Sequence, residues 1–277
     1  MALSDERYAE LNELCRRFRI DVLTAIHAAQ SGHPGGSLSC CEILTYLYQE
    51  HMNLDANDAH NPDRDRLVLS KGHAAPMLYR NLAEKGFFPV SEMATLRRMG
   101  GLAGHPNMHT PGVEMPGGPL GQGFPAAQGM AMALKLNNSP AKVYAVLGDG
   151  ELNEGVIWET AMSAAKFKLD NLIAIVDYNK VQLDGTTDEV MPLGDLAAKW
   201  EAFGWTVLEC DGHDLEALDF CVSVADGAVG APTVIIANTI KGKGVSFMEG
   251  KNTWHGKAID DESFAKAMEE LGGAANV

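Results

Sequence analysis

The sequence predicts an α/β fold in which a parallel β-sheet carries helices on both faces. Continuous apolar runs rich in β-branched residues recur along the 277 residues, as in strands that are buried on both sides. Segments with apolar residues at helical spacing separate these runs, and this alternation is typical of βαβ units. No linker or repeat divides the chain, so we expect a single domain over residues 1–277.

The elements follow one another in a regular order. The first helix begins at Ser4, a residue type that caps helices, and its predicted end is Gly32. The later helices are predicted at residues 40–51, 75–85, 155–166, 194–203, 214–225 and 263–271. The strands are predicted at residues 66–70, 142–147, 171–177, 205–210 and 233–240. Residues 98–123 are rich in glycine and proline and lack periodicity, which favours a long, ordered, functional loop.

The composition excludes several classes of protein. Acidic residues outnumber basic ones, 37 to 22, for a net charge of −15, and such a surface repels nucleic acid. No apolar run reaches the ~18 residues of a membrane-spanning helix, and the N-terminus lacks the pattern of a signal peptide. The 5 cysteines include no CxxC pair, which favours reduced thiols. We therefore expect a cytoplasmic protein that binds neither nucleic acid nor membranes.

Gly148-Asp149-Gly150 is the most informative motif, because it directly follows the strand at residues 142–147. Asn179 comes after the next strand, one βαβ unit further on, so the two side chains are expected at the carboxyl edge of the sheet, where ligands bind. Carboxylate, amide and backbone carbonyl oxygens suit Mg²⁺ or Ca²⁺ and leave positions for a diphosphate. The alternative is that Asp149 only caps the following helix.

The same motif carries a family resemblance. GDG with an Asn about thirty residues later is the signature of thiamine-diphosphate enzymes, and residues 148–185 resemble transketolase. Further blocks resemble the same family: SGHPGGSLS at 31–39, LSKGHAAPMLY at 69–79, GHP at 104–106 with GGPLGQG at 117–123, and NTIKGKGVSFMEGKNTWHGKA at 238–258. The pyruvate dehydrogenase E1 α chain has a similar GDG element but is not expected to carry the other blocks. The resemblance therefore implies the diphosphate-binding (PP) domain fold.

The resemblance also implies residue roles. It assigns the divalent metal to Asp149, Asn179 and the carbonyl of Val181. It assigns contacts with thiamine diphosphate to His73, Gly118, Pro119, Leu120, Gly150, Ile240 and His255. It places three histidines at the reacting carbon and the substrate hydroxyls, His33, His105 and His255, because imidazole moves protons near neutral pH. It puts Glu154 at a subunit interface.

The remaining histidines are interpreted as structural. His27 is expected in the core or facing a partner, and His51, His60 and His213 on the surface. His105 and His109 are separated by Pro106, which argues against a zinc pair on one helix face.

The implied activity is transfer of a two-carbon ketol unit from a ketose phosphate to an aldose phosphate, in the pentose phosphate pathway. A whole transketolase also has pyrimidine-binding and C-terminal domains, and the first of these supplies the glutamate that activates the cofactor. Neither is visible here, so we expect both on a separate chain, in an α2β2 heterotetramer.

Three alternatives stay open. The chain could belong to a split transketolase for a branched or sulfonated sugar, since Trp254 beside His255 could narrow the substrate entrance. It could be a regulatory subunit that binds thiamine diphosphate without catalysis, although the full histidine set argues against this. 1-Deoxyxylulose-5-phosphate synthase is a weaker candidate.

Overall fold

The computed structural model describes residues 3–273. Its centre is a sheet of 5 parallel strands in the order β1-β2-β3-β5-β4. These strands are β1 (Arg66–Leu69), β2 (Val143–Gly148), β3 (Leu172–Tyr178), β4 (Thr206–Asp211) and β5 (Thr233–Asn238). The predicted parallel α/β sheet is therefore confirmed, and β2 and β3 are neighbours in it.

Helices cover both faces of the sheet. They are α1 (Asp5–Ala29), α2 (Pro34–Ser39), α3 (Cys41–Tyr46), α4 (Ala75–Lys85), α5 (Gly123–Leu136), α6 (Gly155–Lys166), α7 (Thr187–Val190), α8 (Leu196–Ala202), α9 (Leu215–Asp226) and α10 (Asp261–Glu270). Successive residues of a strand point to opposite faces of the sheet and belong to two separate hydrophobic cores. Val146 belongs to the core with residues of α1, α3, α4, α9 and α10, and Ala145 to the core with residues of α5, α6 and α8. Within residues 3–273, no helix has the length and apolar character to cross a membrane.

Helix ends agree with the sequence only in part. Ser4 caps α1 as predicted, accepting a hydrogen bond from the amide of Arg7 at 3.2 Å. The helix ends before Gly32, because Gln30 adopts the left-handed conformation (φ 49°). Three helices were not predicted: α2 inside the SGHPGG segment, α5 directly after the glycine-rich loop, and the short α7 after β3.

The strands β1, β2, β3 and β5 end at the carboxyl edge of the sheet. Because these four strands are parallel neighbours, the loops at residues 70–74, 149–154, 179–186 and 239–251 leave the sheet side by side. Residues 98–122 form an ordered loop without a helix or strand, as expected. The fold thus brings the glycine-rich blocks of the sequence to one place.

Candidate active site

Asp149 and Asn179 both face one cavity beyond the ends of β2 and β3. The Asp149 carboxylate is 3 % exposed. It accepts hydrogen bonds from the amide of Gly150, at 2.7 Å, and from the amide of Lys180 in the neighbouring loop. Burial, reinforced by the charge of Asp177, raises the pKa of Asp149 to about 6. A carboxylate in this environment is stabilised by a cation.

The oxygens predicted to hold a metal are present in the same cavity. Asn179 Oδ1 accepts a hydrogen bond from the amide of Val181 at 3.1 Å. The carbonyl of Val181 accepts one from Lys241 Nζ at 2.8 Å. Together with Asp149 these groups form a hard oxygen donor set of the kind that Mg²⁺ and Ca²⁺ prefer, so the donor chemistry fits a divalent cation.

The cavity has a volume of about 180 Å³. Seven of the residues singled out from the sequence line it: His73, Leu120, Asp149, Gly150, Asn179, Val181 and His255. The others lie outside this lining: His33, His105, Gly118, Pro119, Glu154 and Ile240.

Four histidines form a cluster beside the cavity, with His33 in the middle. The ring centroid of His33 lies 5.5 Å from that of His73, 5.7 Å from that of His105 and 5.6 Å from that of His255. Burial lowers the pKa of His33 to about 4 and that of His255 to about 3. The pKa values of His73 and His105 are shifted down for the same reason. At neutral pH these imidazoles are therefore uncharged.

Lys241 is a site residue that the sequence interpretation missed. Its Nζ donates to the Val181 carbonyl and contacts His255 Nδ1 at 2.9 Å. Burial, followed by the charge of Lys71, lowers the pKa of Lys241 to about 8. A nearly enclosed cation at the wall of the cavity suits a phosphate group. The sequence feature that could have identified Lys241 is its position inside the IKGKG part of the block at residues 238–258.

Lys71 and Asp177 form a buried ion pair under the cavity. Lys71 Nζ also donates to the carbonyl of Gly36 at 2.9 Å. Asp177 accepts further hydrogen bonds from Ser39, at 2.6 Å, and from Thr239. Burial alone would raise the pKa of Asp177, but the charge of Lys71 outweighs it and holds that pKa below its usual value. The pair ties the SGHPGG segment, β3 and the loop after β5 together.

Glu151 anchors the glycine-rich loop to the sheet. Its carboxylate accepts hydrogen bonds from the amides of Gly121 (2.7 Å) and Gly148 (3.0 Å) and from the hydroxyl of Ser70. A Cβ at Gly72 would lie only 2.8 Å from the amide nitrogen of Gly118, so the loop touches backbone there. These contacts bring Leu120 to the rim of the cavity.

The structure corrects two surface predictions. His213 is largely enclosed: its Nε2 accepts from the amide of Ile240 at 2.8 Å, and its Nδ1 contacts Glu42 at 2.9 Å. Glu42 pairs in turn with Arg19 at 2.7 Å. His51 was also wrongly placed on the surface, because it contacts the Tyr144 hydroxyl at 3.0 Å.

Two other histidines, His27 and His60, lie where the sequence predicted them. His27 is buried, and its ring stacks on Phe264 at 4.2 Å. His60 and Glu154 are exposed. Trp254 is 6 % exposed and packs on Phe247 at 5.5 Å, outside the cavity lining. Its effect on a substrate entrance stays a prediction.

Oxygen groups at two parallel strand ends, beside a cluster of neutral histidines, form a cavity of the kind that suits a phosphorylated cofactor. The sequence comparison specifies which one. The chain belongs to the transketolase family of thiamine-diphosphate-binding domains, whose model matches residues 11–276.

Named relatives include both separate subunits and whole enzymes. The chain is 47 % identical over 268 residues to the 6-deoxy-6-sulfo-D-fructose transketolase subunit SqwG of Clostridium sp. (strain MSTE9), covering 96 % of this chain and 98 % of that protein. It is 45 % identical to an apulose-4-phosphate transketolase subunit of Actinobacillus succinogenes, covering 95 % and 96 %. The transketolase structure from Campylobacter jejuni superposes with a TM-score of 0.89 at 32 % identity, covering 99 % of this chain and 44 % of that one. The chain thus spans less than half of that transketolase.

Proposed function

We propose that the chain is the cofactor-binding subunit of a two-chain transketolase, which moves a two-carbon ketol unit from a ketose phosphate to an aldose phosphate. The observation that carries the proposal is the meeting of Asp149 and Asn179 at one cavity whose wall includes His73 and His255. When bound, thiamine diphosphate supplies the electron sink for cleavage of a bond next to a carbonyl.

The metal would be held by Asp149, Asn179 and the Val181 carbonyl. Without a cation, amide and ammonium donors satisfy these oxygens. A divalent cation there would keep Asp149 ionised at physiological pH by countering the effect of burial. The donor set is made only of oxygen, which favours Mg²⁺ or Ca²⁺ over softer metals.

The diphosphate would lie against Gly150, His73, His255 and Lys241. The amide of Gly150 opens a short helical turn at residues 150–153. The rings of His73 and His255 stack with centroids 4.9 Å apart, so the two side chains form one part of the cavity wall.

The cofactor's ring end would contact the rim of the cavity. Leu120 lines the cavity, Gly118 and Pro119 directly precede it in the loop, and a Cβ at Gly118 would be 4.0 Å from His105. Ile240 is 37 % exposed and held through its amide by His213. An apolar side chain fixed in this way is suited to packing against an aromatic ring.

Proton movement on the substrate would fall to His33, His105 and His255. All three have lowered pKa values and are neutral at pH 7. A neutral imidazole carries one N–H donor and one lone-pair acceptor, so it can hydrogen-bond a substrate hydroxyl and relay its proton. His33 Nδ1 is buried and has no hydrogen-bond partner within residues 3–273, so it is available to a substrate oxygen.

The partner would be a second chain that carries the pyrimidine-binding and C-terminal domains, in an α2β2 assembly. Two relatives that this chain covers almost end to end are named as transketolase subunits, which supports a divided enzyme. The exposed Glu154 lies at the start of α6, beside Gly121 of the loop that the cofactor ring would touch. A partner seated there would approach the cofactor.

A second candidate is a transketolase for an unusual sugar. It is favoured by the names of the two subunit relatives, which specify a sulfonated fructose and apulose 4-phosphate. Both candidates use the same site residues, so the substrate distinguishes them.

Reconstitution with a candidate partner chain tests the proposal. The chain, the partner and the pair would each be given Mg²⁺, thiamine diphosphate and an aldose phosphate acceptor. The donors would be xylulose 5-phosphate, 6-deoxy-6-sulfo-D-fructose and apulose 4-phosphate. Turnover of xylulose 5-phosphate by the pair alone supports the main proposal, and turnover of only another donor supports the second. Turnover by the isolated chain contradicts partner dependence, and bound cofactor without any turnover points to a regulatory subunit.

A further inference from the structure

Gln182 presents an unused hydrogen-bond donor at the cavity. Its side-chain Nε2 is buried and has no hydrogen-bond partner within residues 3–273. The residue lines the same cavity as Asp149, Asn179 and Lys241. A buried donor without an acceptor is unfavourable in the empty protein, so its presence at a binding cavity indicates that a ligand supplies the acceptor.

The Gln182 amide lies directly over Gly150. A Cβ built on Gly150 would lie 3.3 Å from both Cδ and Oε1 of Gln182. Gly150 follows Asp149, opens the short turn at residues 150–153 and lines the cavity at the proposed diphosphate position. The Gln182 side chain therefore lies beside the proposed phosphate end of the site.

The backbone around Gln182 is fixed before any ligand arrives. The amide of Gln182 donates to the carbonyl of Gly185 at 2.8 Å, and Val181 pairs with Thr186 in an isolated β-bridge. Thr186 also caps α7 in a reciprocal arrangement with Glu189. Because this hairpin holds the backbone, little ordering is needed to aim the side chain.

An amide N–H₂ can donate to any ligand oxygen, so the other groups of the cavity decide which kind of acceptor fits. A carboxamide N–H₂ cannot ligate a metal cation through nitrogen, and the cavity already contains the cation Lys241 for charge neutralisation. We propose that Gln182 Nε2 donates a hydrogen bond to a diphosphate oxygen of bound thiamine diphosphate. This inference rests on the proposed function and adds a residue that positions the cofactor.

The test measures affinity of the full chain by isothermal titration calorimetry in Mg²⁺ with two probes, thiamine diphosphate and inorganic pyrophosphate. Gln182→Met keeps the length of the side chain and removes the donor, while Gln182→Glu keeps the shape and adds negative charge. Gln49→Met is the matched control, because Gln49 Nε2 is satisfied by the Asn81 carbonyl at 3.1 Å and lies outside the cavity.

We expect Gln182→Met to weaken the binding of both probes about tenfold or more, as for a hydrogen bond to a charged acceptor. Gln182→Glu should weaken them further, and Gln49→Met should leave both affinities unchanged. The ligand-free Gln182→Met chain should melt at or above the wild-type temperature, because it loses an unsatisfied buried donor. A merely structural role for Gln182 would instead lower the melting temperature.

Wild-type affinity of both Gln182 variants for both probes would overturn the inference while leaving the proposed function intact. A wild-type chain that binds neither probe would overturn the inference and the cofactor site together. The two failures are therefore distinguishable in one set of titrations.

Discussion

Replacing Lys71 with methionine would remove the cation of an enclosed ion pair. Lys71 is 1 % exposed and Asp177 is 0 % exposed, so the variant leaves the Asp177 carboxylate without a charged partner and without water. Hydrogen bonds from Ser39 and Thr239 remain, but breaking a buried pair by removing one member costs about 3–5 kcal/mol. We expect the free energy of unfolding at pH 7 to fall by that amount.

Urea denaturation followed by circular dichroism measures this loss. In the double variant Lys71→Met/Asp177→Asn a neutral amide replaces the isolated carboxylate, so at least half of the loss should be recovered. Lys135→Met is the matched control: it removes a lysine whose side chain is 38 % exposed and paired with Asp170, which is worth about 0–1 kcal/mol.

The pH dependence gives a second check. In the wild type the pKa of Asp177 lies below its usual value, so the stability that the pair contributes is present at neutral pH and is lost only in strong acid. In Lys71→Met the pKa of Asp177 should rise above the unfolded value, so the deficit should shrink between pH 7 and pH 5. A loss within about 1 kcal/mol of the Lys135→Met control, or no recovery in the double variant, would refute this reasoning.

Asp149→Ala is expected to abolish Mg²⁺-dependent binding of thiamine diphosphate in calorimetry. The melting temperature of the ligand-free chain should not fall, because burial disfavours the ionised carboxylate. Retained affinity would contradict the role of Asp149 as a metal ligand. Chelation with EDTA should release the cofactor in equilibrium dialysis and added Mg²⁺ should restore it; EDTA-resistant binding would exclude a metal bridge. His33, with its pKa lowered to about 4, should show no protonation in an NMR titration from about pH 8 to pH 5. Near the ordinary histidine pKa of about 6.5, only the unfolded chain gains a proton at His33, so His33 should lower the free energy of unfolding as the pH falls below that value. A titration midpoint of His33 near pH ~6.5 in the folded protein would contradict this prediction.

The strands were predictable because burial on both faces leaves a strong pattern. The apolar run before Gly148 predicted β2, and the next such run predicted β3, so the adjacency of Asp149 and Asn179 followed from one βαβ connection. Helix α5 escaped prediction because its sequence, GFPAAQGMAMALKL, contains glycine and proline near its start and small apolar residues on most sides. Those features obscure the spacing that indicates an amphipathic helix.

The interactions of charged residues could be predicted less well. Lys71 and Asp177 are 106 positions apart, and nothing local to either residue indicates that they pair. His213 resembles a surface residue in the sequence because acidic residues flank it, yet Glu42 and Ile240 enclose it. The resemblance to transketolase supplied motifs but not these partnerships, which depend on side chains from different elements meeting in space.

The anchoring of the glycine-rich loop has a consequence for how the chain takes up its ligand. Glu151 and the backbone contact at Gly72 make the rim of the cavity continuous with the sheet. A pre-shaped pocket of this kind captures a small molecule by simple docking, and its affinity is set by the groups already facing inward rather than by loop closure. For the proposed two-chain enzyme, this predicts that the coenzyme binds before the partner chain does.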